Sequence, residues 1–411
     1  MALQDSEHLA GGFFWNTVAS ALNALQGVVF LAVVNRVAGP YLGGVFSFAY
    51  MIGQQFRPLG AFEMRVYQAT DVKCAFSFGT YLLSRVITAL LMIAAIVVTS
   101  LSSEGATLEG ITVIFIALLR VLDVVEDVFH GKLQQMGRLD IAARAQSIRI
   151  IVTSLLFCLG VLLTGDLLLS AFVSLVVSAF AVYCLNVPAS RRQFDIHAKR
   201  ADLVDLPRLF ITCVPLFLAA FLSGYLPNAS KFAVEAVMSK ESLTQYSVLF
   251  VPAMVINLAC GFVFQPLLSH LANSISHSDN RPFLRLISKG VLLSMLVGLL
   301  AMVGAGLVGI PLLELVYGID LDGLWAALIV LMLAGMFNAF DTVMYYGLVA
   351  LRAQKLVLID YAVVALGALL CSGQFVAHLN LFGAALSYAV VMIGFFVLSL
   401  ISMHFVVGKG R

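Results

Sequence analysis

The stretch Phe76–Ser100, FSFGTYLLSRVITALLMIAAIVVTS, decides the class of this protein. It is a long apolar run with no proline and a single ionisable side chain, Arg85. A hydrocarbon core of about 30 Å is crossed by roughly 20 helical residues at ~1.5 Å each, so the run reads as a membrane span. Working outward from it in both directions, eleven further stretches have the same character. The twelve predicted spans are 12–35, 41–62, 76–100, 108–129, 139–163, 166–187, 208–227, 243–269, 285–309, 323–350, 357–377 and 381–406. Composition agrees: 61% of the 411 residues are hydrophobic and 11% are charged, where a soluble domain carries about a quarter charged. With 24 Lys and Arg against 22 Asp and Glu, the net charge of +2 supplies no basic stripe, which argues against nucleic acid as a partner.

The first apolar run follows a segment without Lys or Arg and is too long for a signal-peptide core, so it is read as span one. Tight connections leave no room for a separate soluble domain. The expected organisation is an N-lobe, 1–190, holding spans one to six; a basic cytoplasmic linker, 191–207; and a C-lobe, 208–411, holding spans seven to twelve. With the N-terminus inside, fifteen Lys and Arg residues fall in cytoplasmic loops and tail, against Arg36, Lys231 and Lys240 outside. Positive charge is retained in the cytoplasm, so both termini are expected there. A shift of 200 residues pairs Phe46 with Tyr246, Ser47 with Ser247 and Ala61 with Gly261. Six spans on each side of the basic loop make this weak identity read as a parallel repeat, a plan common among transporters.

Smaller features have ordinary explanations. The six cysteines form no Cys-x-x-Cys pair and read as core packing, not as disulfides or a zinc site. The seven histidines, His130 among them, read as solvated or capping residues on loops and helix ends. Trp15 and Trp325 suit interfacial anchors. Gly290, Ser294, Gly298 and Gly306 lie on one face of span nine and Ala301, Ala305 and Gly309 on another, a spacing that usually means close helix packing. The apolar and acidic stretch 311–323 is expected to form a short helix on the outer surface.

Ionisable groups inside spans are the most informative residues, because each costs at least ~2.5 kcal/mol in hydrocarbon unless it faces a cavity or a partner. Arg57, Arg85, Arg120, Arg144 and Arg149 all belong to the first six spans. Arg120, Asp123 and Asp127 share a helical face, and ion pairs stitching that helix to its neighbours account for Asp123, Glu126 and Asp127 and would absorb Arg120. Arg57, Arg85 and Arg149 have no acid within one turn of their own helix. We read them, with Arg120 joining them as a substrate-binding candidate, as lining a water-filled cavity that receives an anion, the alternative being acids on other helices; an Arg fork donates two hydrogen bonds to one phosphate. Arg36 is read as a release-side anion contact or a gate. Lys231 and Glu235, one turn apart, read as a surface ion pair. In the second half, Asp341 and Asp360 are the intramembrane acids best placed to bind Na⁺ or H⁺, the alternative being ion pairs with Arg352 and Lys355. No nucleophile elbow, zinc motif or phosphate-cradling loop occurs, so no enzyme activity and no cofactor are expected.

Three stretches carry a family resemblance: FWNTVASALNALQGVVFLAVVNRVAGPYLGGVFSFAY (14–50), EMRVYQATD (63–71), and PLFLAAFLSGYLPNASKF (215–232) followed by Tyr246 and Pro252. They resemble bacterial polysaccharide-export flippases of the Wzx type, in the superfamily of MATE drug exporters and the lipid II flippase MurJ. The resemblance implies an all-α integral membrane protein with two six-helix lobes in a V, working by alternating access. The implied substrate is an undecaprenyl-pyrophosphate-linked oligosaccharide moved from the cytoplasmic to the outer leaflet of the bacterial inner membrane. Membrane lipids, a polysaccharide polymerase and glycosyltransferases are the implied partners. MurJ-type proteins have two additional helices for which this chain has no sequence left. The main rival is a MATE-like, ion-coupled exporter of organic cations; such sites commonly use a carboxylate in span one, and span one here has none.

Overall fold

The computed structural model describes residues 2–71, 75–194, 202–264 and 281–409, without the side chains of 2–10, 262–264 and 408–409. The described residues are helical apart from short turns and connections, with no strand. The helices are α1 (Ala2–Ala61), α2 (Met64–Thr70), α3 (Phe78–Glu104), α4 (Leu108–Gln135), α5 (Leu139–Thr164), α6 (Leu167–Gln193), α7 (Asp205–Val237), α8 (Lys240–Phe264), α9 (Arg281–Tyr317), α10 (Trp325–Ala350) and α11 (Gln354–Lys409). Among the described residues nine segments are long and apolar enough to cross a membrane, which makes this a multi-pass membrane protein. α4 is outside that set because Arg120, Asp123, Glu126 and Asp127 interrupt its apolar sequence.

Two of the nine segments are each twice the length of a span and are broken internally. α1 breaks at Gly39, whose φ of 86° lies in a region closed to most side chains, and Pro40 follows it. α11 breaks at Asn380, φ 52°, a residue type that tolerates the left-handed region. These breaks coincide with the expected junctions at 36–40 and 378–380.

The chain divides into two compact units, Met1–Phe221 and Leu222–Arg411. The division falls inside α7, and a packing reason is visible. Phe62, Met64, Phe76, Tyr81, Val128 and Phe129 form a core with Leu209 and Cys213 of α7. Phe62 also stacks on Phe217 with ring centroids 4.5 Å apart, and the Arg208 guanidinium lies 5.7 Å from the Phe76 ring centre. The first half of α7 is thereby held by the first unit. Of the expected linker 191–207, residues 195–201 lie outside the described residues.

In the first unit α1 packs on α3, α4 and α5, and α6 on α4 and α5; in the second α10 packs on α8, α9 and α11. α9 displays the inversion a bilayer imposes. Leu292, Leu296, Leu300, Val303 and Leu307 are exposed, while Gly290, Ser294, Gly298, Ala305 and Gly309 are buried. Large apolar groups face outward because lipid is as apolar as leucine, and small ones let backbones approach. A methyl group at Gly298 would meet Met336, and one at Gly309 would meet Leu328, so the small-residue face is a packing face.

Three expectations need correction. Residues 311–317 continue α9 through Pro311 instead of forming a separate surface helix, and the Glu314 carboxylate accepts from the Leu321 amide to close the turn that follows. His130 is buried on α4 with Nε2 3.2 Å from Asn186 Oδ1, because its helix face turns inward. Of the cysteines, Cys213 and Cys260 are buried as expected, but Cys184 and Cys371 are exposed on outer helix faces; Cys74 lies outside the described residues.

A close helix approach gives a stability test. A Cβ at Gly335 of α10 would lie 2.9 Å from the backbone and Cβ of Ala253 in α8. Gly335→Leu is expected to wedge the pair apart and cost about 1–3 kcal/mol or more, read as a lower unfolding temperature in detergent. An unchanged temperature would contradict the packing described.

Candidate functional site

The charges of the first unit converge on α4. Its N-terminal half is apolar, and at Arg120 the sequence places charge on faces that point into the bundle. Arg120 Nη1 donates to Asp123 Oδ2 at 2.8 Å and to Asn23 Oδ1 at 3.0 Å, and Nη2 donates to Gln26 Oε1 at 3.0 Å. Its guanidinium also lies 4.7 Å from the Tyr50 ring centre. Arg149, arriving from α5, donates from Nη2 to Asp123 Oδ1 at 2.5 Å and to Glu126 Oε1 at 2.6 Å. Its Nε reaches Glu126 Oε2 at 2.9 Å, and its Nη1 reaches Ser178 Oγ on α6 at 3.2 Å. One buried network therefore joins α1, α4, α5 and α6.

A second network lies one turn further along α4. Arg85 donates to Asp127 Oδ2 at 3.2 Å and to the Gly60 carbonyl at 2.6 Å. Gly60 is at the end of α1, where carbonyls lack intrahelical partners, so Arg85 and the Thr88 hydroxyl cap that helix. Arg65 donates to Asp127 Oδ1 at 3.1 Å and to Gln134 at 3.1 Å.

Arg85, Arg120 and Arg149 are therefore not unpaired guanidiniums, and the expectation that they stand free in a cavity is corrected. All three are buried against α4 carboxylates, since a paired ion in an apolar bundle costs far less than a lone one. Arg57 differs. It is exposed, one turn before the end of α1, and makes no hydrogen bond or ion pair among the described residues, while the Glu63, Asp123 and Asp127 carboxylates lie near enough to feel its charge. In the α4 networks four guanidiniums, Arg65, Arg85, Arg120 and Arg149, face three carboxylates, Asp123, Glu126 and Asp127. The Glu63 carboxylate, close to Arg57, Arg85 and Arg65, balances that count, so the one positive charge in surplus is the one Arg57 brings. Arg36 is exposed beside the α1 break.

The second unit has the opposite character. Asp341, on α10, is 2% exposed, and both carboxylate oxygens lack a hydrogen-bond partner among the described residues. It lines a cavity of about 200 Å³ together with Asn257, Asn338, Thr342, Tyr345 and Tyr361. The Thr342 hydroxyl lies 2.9 Å from Asn257 Oδ1 and 3.0 Å from the Asn338 carbonyl, which ties α8 to α10 at the cavity wall. Asp360, also buried, accepts from the Ser402 hydroxyl at 2.9 Å, and its second oxygen has no partner among the described residues. Neither acid pairs with Arg352 or Lys355, so the alternative weighed from sequence does not occur.

The cavity wall around Asp341 was legible only in part. Asp341 stands out as an acid in a span, but Asn257, Asn338, Thr342, Tyr345 and Tyr361 carry no signal of their own. Thr342 is adjacent in sequence, Asn338 and Tyr345 lie one turn to either side, and only tertiary packing adds α8 and α11.

No protein-family model and no curated protein matches the sequence. Solved structures match in fold. The lipid II flippase MurJ in an inward closed conformation aligns with a TM-score of 0.71 at 15% identity, over 94% of this chain and 87% of that one. A MATE in complex with MaL6 gives 0.60 at 14% identity, over 99% and 96% of the two chains. The Vibrio cholerae MATE transporter VcmN in its bent form gives 0.61 at 13%, over 99% and 98%. Two further matches are inward- and outward-facing MATE-family transporters of the MOP superfamily. The all-helical chain, with its two compact units, therefore has the fold of the MATE and MurJ transporters of the MOP superfamily.

Proposed function

We propose that this protein is a flippase that carries an undecaprenyl-pyrophosphate-linked oligosaccharide from the cytoplasmic to the outer leaflet by alternating access. The observation that carries the reading is Arg57, an exposed guanidinium that makes no hydrogen bond or ion pair among the described residues and leaves the ion network beside it with one positive charge in surplus. A pyrophosphate is the chemistry such a group receives best, because charge-assisted bonds from a planar fork are strong and directional. The other arginines then act as scaffold: Arg85, Arg120 and Arg149 hold the bundle that presents Arg57. Arg36 is assigned a contact on the release side. We also propose twelve crossings, counting the halves of α1 and α11 separately and adding α4, with both termini in the cytoplasm of a bacterial inner membrane. The oligosaccharide would come from glycosyltransferases and pass to a polymerase.

Net movement of a polar headgroup against a gradient needs an energy source. We assign it to Na⁺ or H⁺ bound at Asp341, with Asp360 as a second carrier, since a desolvated carboxylate with no partner is stabilised by either cation. A second reading rests on the same cavity. Tyr345, Tyr361, Met392 and Phe395 around Asp341 would also suit an organic cation, which an acid and aromatic faces recognise together.

Binding to purified protein separates the two. Undecaprenyl-pyrophosphate-oligosaccharide is expected to bind, with affinity about tenfold weaker in Arg57→Ala, the loss of one charge-assisted contact. Ethidium is expected neither to bind nor to be exported. Ethidium export without glycolipid binding would favour the organic-cation reading.

A further inference from the structure

Lys231 sits on α7, six residues before its end at Val237, and its ammonium is not in the ion pair that the sequence suggests. Glu235, one turn on, is paired with Lys240 of α8 instead. Lys231 Nζ lies 4.3 Å from the centre of the Phe250 ring. That ring is fixed from behind: its centroid is 5.0 Å from that of Tyr388 and 6.2 Å from that of Tyr246. Tyr246 is itself held, its hydroxyl 2.8 Å from Ser230 Oγ and 3.2 Å from the Ala384 carbonyl. Lys231 thus rests on an aromatic wall that cannot neutralise it, and no carboxylate pairs with it among the described residues. The residue as a whole is half-buried.

A cation–π contact alone leaves an ammonium near the end of a membrane-spanning helix short of a counter-charge. We propose that Lys231 receives a phosphate-bearing lipid headgroup at this end of α7, with the Phe250 ring holding the ammonium in place. The headgroup belongs either to the polyprenyl pyrophosphate, in which case the inference rests on the proposed flippase function, or to an anionic phospholipid, in which case it does not.

The test uses the full chain in phosphatidylcholine nanodiscs, with acetylation of Lys231 by acetic anhydride followed by mass spectrometry. The amine is expected to react in that neutral bilayer. Reaction should slow about tenfold when undecaprenyl pyrophosphate is added, or when phosphatidylglycerol replaces part of the bilayer, the change expected from one charge-assisted contact. Slowing by the pyrophosphate assigns the site to the carried lipid; slowing by phosphatidylglycerol alone assigns it to a membrane lipid. Lys231→Arg should keep undecaprenyl-pyrophosphate or phosphatidylglycerol binding, and Lys231→Gln should weaken it about tenfold. An amine that is unreactive in phosphatidylcholine, or that neither lipid protects, overturns the proposal. Arg57→Ala separates the two readings: protection of Lys231 that persists in it leaves this site standing even where glycolipid binding fails.

Discussion

Replacing Arg149 by alanine is expected to destabilise the first unit by about 3–5 kcal/mol, the cost of breaking a buried ion pair from one side. Arg149 donates to both oxygens of Glu126, to Asp123 and to Ser178, and its side chain is 3% exposed. Truncation would leave Glu126 with no cation and Asp123 with Arg120 alone, in a bundle with little water to replace the lost bonds. Thermal unfolding of the purified variant should show the loss directly. Adding Glu126→Gln to Arg149→Ala should recover part of the stability, because it removes the charge left behind. A single mutant as stable as the parent would contradict the network, and a double mutant no better than the single would place the energy elsewhere.

Asp341→Asn is expected to act in the opposite sense on stability while removing coupling. The carboxylate is buried without a hydrogen bond among the described residues, so a neutral amide of the same shape should leave the unfolding temperature unchanged or raise it. In sealed vesicles, transport driven by an imposed sodium or proton gradient should fall to the level seen without a gradient. Intact gradient dependence in Asp341→Asn and Asp360→Asn would dispose of the coupling assignment.

The sequence made the helices legible and left most of their partners hidden. A run such as 76–100 can only be a span, and Ala38-Gly39-Pro40 announces the α1 break, because glycine and proline act on the backbone locally. Arg120 and Asp123 could be paired from their three-residue spacing alone. Arg85 and Arg149 could not, since their partners lie on α4 and depend on the rotation of one helix against another, which hydropathy does not encode. The same blindness misjudged Lys231, whose acid at one turn's distance turns to Lys240, and His130, whose polar side chain hid an inward face. The stretch 311–323 reads as a separate surface helix, yet Pro311 is accommodated inside α9. In the second unit the composition singled out Asp341, but α8 and α11 complete its cavity only through packing.

On the proposed function, a lipid-linked pyrophosphate oligosaccharide crosses the bilayer through this protein. Reconstituted vesicles loaded with a fluorescent undecaprenyl-pyrophosphate-oligosaccharide, probed by an impermeant quencher, measure that crossing. Headgroups are expected to appear in the opposite leaflet rapidly with the parent protein and slowly with Arg57→Ala. Crossing no faster than in protein-free vesicles, alongside uptake of ethidium by the same preparation, would contradict it.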